Sequence, residues 1–163
     1  KKDEPNLAWV TDVSEFRFNR KRLYLSVIQD LYNGEVKAYQ ISRSQNQDLI
    51  LKTLKKAINP NEDLSKLLIH SDQGILYQSP KYRNYLKKSS FTQSMSAKGN
   101  AYDNAVVESF FGTLKCETIY LQKVKSLSDL IRTIDEYIYW YNHERIKLTL
   151  GGYSPIQYRL MNQ

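Results

Sequence analysis

Three stretches decide the fold: LAWVTDVSEF (7–16), LYLSVIQD (23–30) and VKAYQIS (36–42). Each is rich in β-branched and aromatic residues and alternates in part, as a half-buried strand does. RFNRKR (17–22) between the first two reads as a basic turn, and Asn33-Gly34 between the last two is a strong hairpin signal, because both residues tolerate positive φ. Three strands joined in this way predict an antiparallel meander, whose apolar positions need covering layers.

The rest of the chain supplies that cover. From Asn46 to Ile58 the positions Ile50, Leu51, Leu54 and Ile58 follow helical spacing, and Pro60 and Asn61 stop the helix. LLIHS (67–71) is a short apolar run that predicts a buried strand. PKYRNYLKK (80–88) predicts a helix opened by proline. FTQSM (91–95) reads as a short strand and SAKGNAY (96–102) as a loop. Asp103 is placed to cap a helix running to about Tyr120. A second long helix starts near Ser126, where Ser126 and Asp129 resemble a capping box, and Leu127, Leu130, Ile131, Ile134, Ile138 and Tyr141 form its apolar stripe. Gly151-Gly152 ends the packed region, and Pro155 opens a last helical turn. The order predicts an α/β domain with a mixed sheet, and 163 residues suit a single domain.

Bulk properties remove several classes. One cysteine, Cys116, excludes an intramolecular disulfide and a cysteine-based zinc site, and fits a reducing, cytoplasmic setting. Two histidines leave no basis for a histidine-based zinc site, so His70 reads as structural. No apolar run approaches the ~18 residues of a membrane span. The chain starts at Lys1, which reads as an excised domain or a processed chain. A net charge of +7 favours a polyanionic partner such as nucleic acid.

Against that basic background, three acids stand out. Asp12 falls inside the first strand, where an ionised carboxylate is costly unless paired or metal-bound, although alternation also allows it to face water. Asp72 follows the buried strand at its carboxyl end, where α/β sheets bind ligands, and Gly74 permits a sharp turn there; an Asp at a turn is also common. Glu108 lies on a helix whose Asn104, Gly112 and Lys115 fall within about 40° of it at 100° per residue. Val106, Val107, Phe110, Phe111 and Leu114 cover another arc. Gly112 in mid-helix costs about 1 kcal/mol relative to Ala, which a closely passing substrate backbone would explain. Three carboxylates from distant segments have the chemistry to hold two divalent ions, and oxygen ligands suit Mg²⁺ or Mn²⁺. Without metal, clustered carboxylates raise one another's pKa values.

WVTD (9–12), HSDQG (70–74) and NAVVESFFGTLKCE (104–117), with thirty-five residues between Asp72 and Glu108, resemble the three motifs of the DDE-type insertion-sequence transposases. These have a catalytic core like that of retroviral integrases. YWYNHERIKLTLGGYSPIQY (139–158) resembles the family's C-terminal signature, so the likeness covers nearly the whole chain.

The resemblance implies a ribonuclease-H-like fold with a mixed five-stranded sheet flanked by helices. It implies an integrase-like catalytic core over 1–163, residues 145–163 forming a C-terminal extension, without the upstream DNA-end-recognition region. It further implies two-metal DNA strand cleavage and strand transfer at insertion-sequence ends, with Asp12, Asp72 and Glu108 as catalytic metal ligands and Mg²⁺ or Mn²⁺ as cofactor. Asn104 and Lys115 match positions facing DNA in integrase-like enzymes. Gly112 shares their face, and Lys98 is placed for a phosphate contact. The implied partners are transposon-end and target DNA and further copies of the chain in a transposition complex, in a bacterial cytoplasm at the nucleoid. Ala101 and Ile75 stand where many members carry Cys and Trp. Two other readings remain at this point: a related ribonuclease-H-like nuclease, for which Asp103 is a candidate fourth acid, and an inactive DNA-binding or assembly remnant.

Overall fold

The computed structural model describes residues 3–72, 74–89, 92–95, 101–119 and 123–163, with backbone alone for 92–95 and 101–103. Among the described residues, five strands form one mixed sheet in the order β3-β2-β1-β4-β5. They are β1 (Ala8–Phe18), β2 (Lys21–Asp30), β3 (Val36–Ser42), β4 (Leu68–Ser71) and β5 (Thr92–Met95). The first three pair antiparallel, as the meander reading requires, while β1 pairs parallel with β4 and β4 parallel with β5.

Among the described residues, five α-helices accompany the sheet: α1 (Gln47–Ala57), α2 (Pro80–Lys88), α3 (Ala101–Thr118), α4 (Leu127–His143) and α5 (Pro155–Met161). Both faces of the sheet are covered. Strand alternation divides β1 between two cores. Val10 and Phe16 join Val107, Phe110, Leu114, Ile134 and Ile138 of α3 and α4. Trp9 packs with Ile50 and Leu54 of α1 and Tyr82 and Leu86 of α2. This three-layer arrangement explains why β2 is buried on both faces from Leu25 to Asp30.

Several local readings are sharpened. The basic turn expected over 17–22 contracts to Asn19-Arg20, with φ of 47° and 66°, the signs of a type I′ turn; its flanks continue β1 and β2. Gly34 takes φ 79°, but its turn spans more than two residues and is closed by Gly34 N–H to the Asp30 carbonyl at 2.8 Å. The third helix begins at Ala101, so Asp103 lies inside it and does not cap it. At the start of α4, Ser126 accepts from the Asp129 N–H, while Asp129 accepts from the Lys125 N–H.

The packed region also continues beyond Gly151-Gly152. The α5 helix docks on the β2–β3 turn through Arg159 Nε on Glu35 at 2.9 Å and Asn33 on the Pro155 carbonyl at 2.8 Å. Tyr32 and Tyr158 meet there with ring centroids 5.5 Å apart. Among the described residues, no helix is long and apolar enough to cross a membrane.

Candidate active site

The parallel pairing of β1 and β4 aligns two of the acids. Val10 is level with His70, and Asp12 and Asp72 each stand two residues further along. Asp12 shares the α3-facing side of β1 with Val10 and Phe16. It is half-buried, whereas Asp72 and Glu108 are exposed.

Burial pushes the Asp12 carboxyl up to about 6, partly offset by the Val13 N–H it accepts at 2.8 Å; the charges of Asp72 and Glu108 raise it further. The three acids therefore share one electrostatic field, with burial the larger cause and mutual repulsion the smaller. Among the described residues, no three His, Cys, Asp or Glu side chains close into a metal-ligand shell.

A cleft of about 410 Å³ runs past Asp12 and Asp72 and is lined also by Gln45, Gly74, Ile75 and Tyr77. The short turn of 3₁₀ helix at Ile75–Gln78 brings Tyr77 into it. Gly74 serves here for closeness. Its N–H donates to Asp72 Oδ1 at 2.8 Å, and a Cβ at that position would lie 2.7 Å from the same oxygen. Its φ of −59° is open to any residue, so backbone conformation does not call for glycine, and a side chain there would instead displace the Asp72 carboxylate. Gln45 and Tyr77 had no signal in the sequence, since they reach the cleft from segments that only folding brings beside Asp12. Ile75, 87% exposed, stands at its rim.

The remaining expected residues separate. Gly112 is exposed, and nothing lies within 4 Å of where its Cβ would be, so no neighbour in the protein requires a glycine there. Asn104 is half-buried on the same helix. Lys115 turns back into the protein, where its ammonium donates to the Glu15 carbonyl at 3.0 Å and lies 4.8 Å from the Phe16 ring centre. It braces α3 against β1. His70 is buried in β4, 6% exposed. Lys98, and Gln73 of the HSDQG motif, lie outside the described residues, as does the side chain of Asp103.

Two integrase core domain families match the chain, one over residues 2–101 and the other over 108–162. The chain belongs to the integrase core family. It is a transposase/integrase catalytic core, of the DDE polynucleotidyl-transferase type. A transposase-like protein of Haemophilus influenzae is 46% identical over 156 residues, covering 96% of this chain and 72% of that protein. The Escherichia coli protein named as transposase InsK of insertion sequence element IS150 is 46% identical over 162 residues, 98% of this chain but 56% of its own length. The chain thus spans little more than half of that relative. Among solved structures, the HTLV-2 integrase catalytic core domain in complex with magnesium superposes with a TM-score of 0.70 at 16% identity, covering 98% of this chain and 99% of that one. At that identity the likeness establishes the fold: a retroviral-integrase-like, ribonuclease-H-like core.

Proposed function

We propose that this integrase core cuts and joins DNA strands at the ends of an insertion sequence, with Asp12, Asp72 and Glu108 as the acids that hold two Mg²⁺ or Mn²⁺ ions. The observation that carries this reading is the half-buried Asp12 carboxylate, raised to about 6 and facing the charges of Asp72 and Glu108. Such a site is costly when empty of cations and favourable when they neutralise it. The donor set fits the ions, because all three side chains offer oxygen alone. When bound, the two ions would supply Lewis acidity on either side of the scissile phosphorus.

The protein's part is positioning. The Gly74 N–H fixes one Asp72 oxygen and the Val13 N–H fixes one Asp12 oxygen. In cleavage, a water oxygen bonds to phosphorus as the bond from phosphorus to the element's 3′ oxygen breaks, leaving a free 3′-hydroxyl. In strand transfer that hydroxyl oxygen bonds to a target phosphorus and displaces the adjoining 3′ oxygen of the target. The number of phosphodiester bonds is conserved in the second step, and no covalent protein–DNA intermediate forms. Gly112 and Asn104 lie on the Glu108 face, where a DNA backbone meets no protruding side chain at Gly112. Lys98 is assigned a phosphate contact on its sequence position. Lys115 contributes through the brace to β1 rather than from the open face. Assembly of several copies on transposon-end and target DNA completes the reading.

Nicking of supercoiled plasmid in Mn²⁺ tests it. Glu108→Gln should reduce nicking by at least a hundredfold at unchanged folding, and Asp12→Asn and Asp72→Asn should abolish Mn²⁺ binding in calorimetry. Full nicking by Glu108→Gln would remove the assignment.

A further inference from the structure

A second groove lies on the other flank of α3. It measures about 410 Å³ and runs between α3 and the segment that follows α4. Ser109 and Thr113 line it from α3, and Arg145, Lys147 and Thr149 line it from the opposite wall. Its floor is aromatic: Phe110 and Tyr141 meet edge to face with ring centroids 5.0 Å apart. Among the described residues, no acidic side chain lines it. We infer that this groove holds the DNA sugar–phosphate backbone beside the stretch that reaches Glu108, with Lys147 as its phosphate contact. The inference rests on the DNA-joining reading above and extends it to residues that the catalytic motifs do not include.

The two cations differ in availability. Arg145 is committed to Glu117, through Nη2 at 2.7 Å and Nε at 3.2 Å. Lys147 pairs with no carboxylate among the described residues. Its ammonium is held instead by the Tyr141 hydroxyl at 3.1 Å, 5.4 Å from that ring's centre. A cation fixed by neutral groups keeps its charge for an incoming anion at little ordering cost. Ser109, Thr113 and Thr149 add hydroxyl donors of the kind that take up phosphate oxygens.

Position joins the groove to the candidate active site. Ser109 and Thr113 directly follow Glu108 and Gly112, and Ala105, Glu108, Ser109 and Gly112 are all exposed on α3. A strand carries a phosphate about every 3.4 Å along a duplex axis, and the two stripes are neighbours on the exposed side of α3. Ile146 and Leu148, 66% and 91% exposed, alternate in the chain with Arg145 and Lys147 and add an apolar edge to this surface segment. An apolar edge would equally suit a second copy of the chain, and the test separates the two.

The measurement is fluorescence anisotropy of a labelled random-sequence duplex, titrated across salt concentrations without divalent metal. Lys147→Ala should weaken binding about tenfold and lower the slope of log Kd against log salt by about one. Lys147→Arg should restore most of the slope, and Ser109→Glu, on exposed helix surface, should weaken binding at least as much. Lys52→Ala, on the exposed side of α1, should change neither. If the unaltered chain binds no DNA, the DNA-joining reading fails and the groove assignment with it. Wild-type-like slopes in both Lys147→Ala and Ser109→Glu, with DNA bound and nicked normally, would overturn the groove assignment alone. Unchanged DNA binding with loss of self-association in sedimentation would give the groove to a second copy instead.

Discussion

Asp12 is the residue on which physical cost and proposed chemistry meet. Its carboxyl is raised from an ordinary 3.8 to about 6, first by burial and then by Asp72 and Glu108. A raised acid means the folded state holds the proton more tightly than the unfolded chain. Metal-free stability is therefore full below about pH 4 and falls as pH rises toward 6. Asp12→Asn should remove that dependence. We expect the variant to melt about 3–6 °C higher than the parent above pH 6 without metal, equivalent to ~1–2 kcal/mol, and to melt alike below pH 4. Equal melting at both pH values would show that Asp12 is not strained. Added Mn²⁺ should stabilise the parent and not the variant. Residue-scale reading from sequence placed Asp72 directly after β4, but the reason for Gly74 differs from the expected one, since its φ of −59° requires no glycine and only the close Asp72 oxygen crowds a side chain there. The same reading failed for the Lys115 head group. Helical angle sets where a Cα–Cβ bond points, but a four-carbon stem ends where it finds partners, here Glu15 and Phe16.

At the scale of elements, the feature most in need of explanation is the outer edge of β3. An open edge strand invites pairing with other chains. Here Asn142 of α4 acts as a one-residue substitute strand: its Oδ1 accepts from the Val36 N–H at 2.9 Å, and its Nδ2 donates to the Val36 carbonyl at 3.0 Å. Lys56 covers the Tyr39 carbonyl further along, at 3.4 Å. Asn142→Leu should destabilise the protein by about 2–4 kcal/mol, since two hydrogen bonds are lost and a buried backbone donor is stranded. Urea denaturation measures the loss, and hydrogen exchange at the Val36 amide should quicken. An unchanged urea midpoint would show the clamp to be incidental. The strands and helices themselves were legible, because periods of two and 3.6 survive in the sequence. The clamp was not, since nothing local distinguishes Asn142 from any other helical asparagine.

For the molecule as a whole, the last twenty residues belong to the fold rather than trailing from it. Arg159 on α5 meets Glu35, whose side chain is 8% exposed, from 124 residues further along the chain. Arg159→Ala should cost about 2–3 kcal/mol by leaving a nearly buried carboxylate without its partner. Adding Glu35→Gln should recover most of that loss in urea denaturation; no recovery would locate the cost in packing against Tyr158 instead. The expectation that packing stops at Gly151-Gly152 failed for this reason: the glycines turn the chain, and what it then packs against lies more than a hundred residues earlier. The sequence alone determined the strand and helix order and the family motifs that nominate the three acids, because these depend on local periodicity and on chemistry carried by residue type. Only the tertiary structure decided that Asp12 is half-buried in the field of Asp72 and Glu108, that Gln45 and Tyr77 share its cleft, and that Lys147, held by the Tyr141 hydroxyl and without a carboxylate partner among the described residues, lines a groove beside α3. Burial, charge coupling and cleft shape are properties of segments brought together in space, and distance along the chain does not encode them.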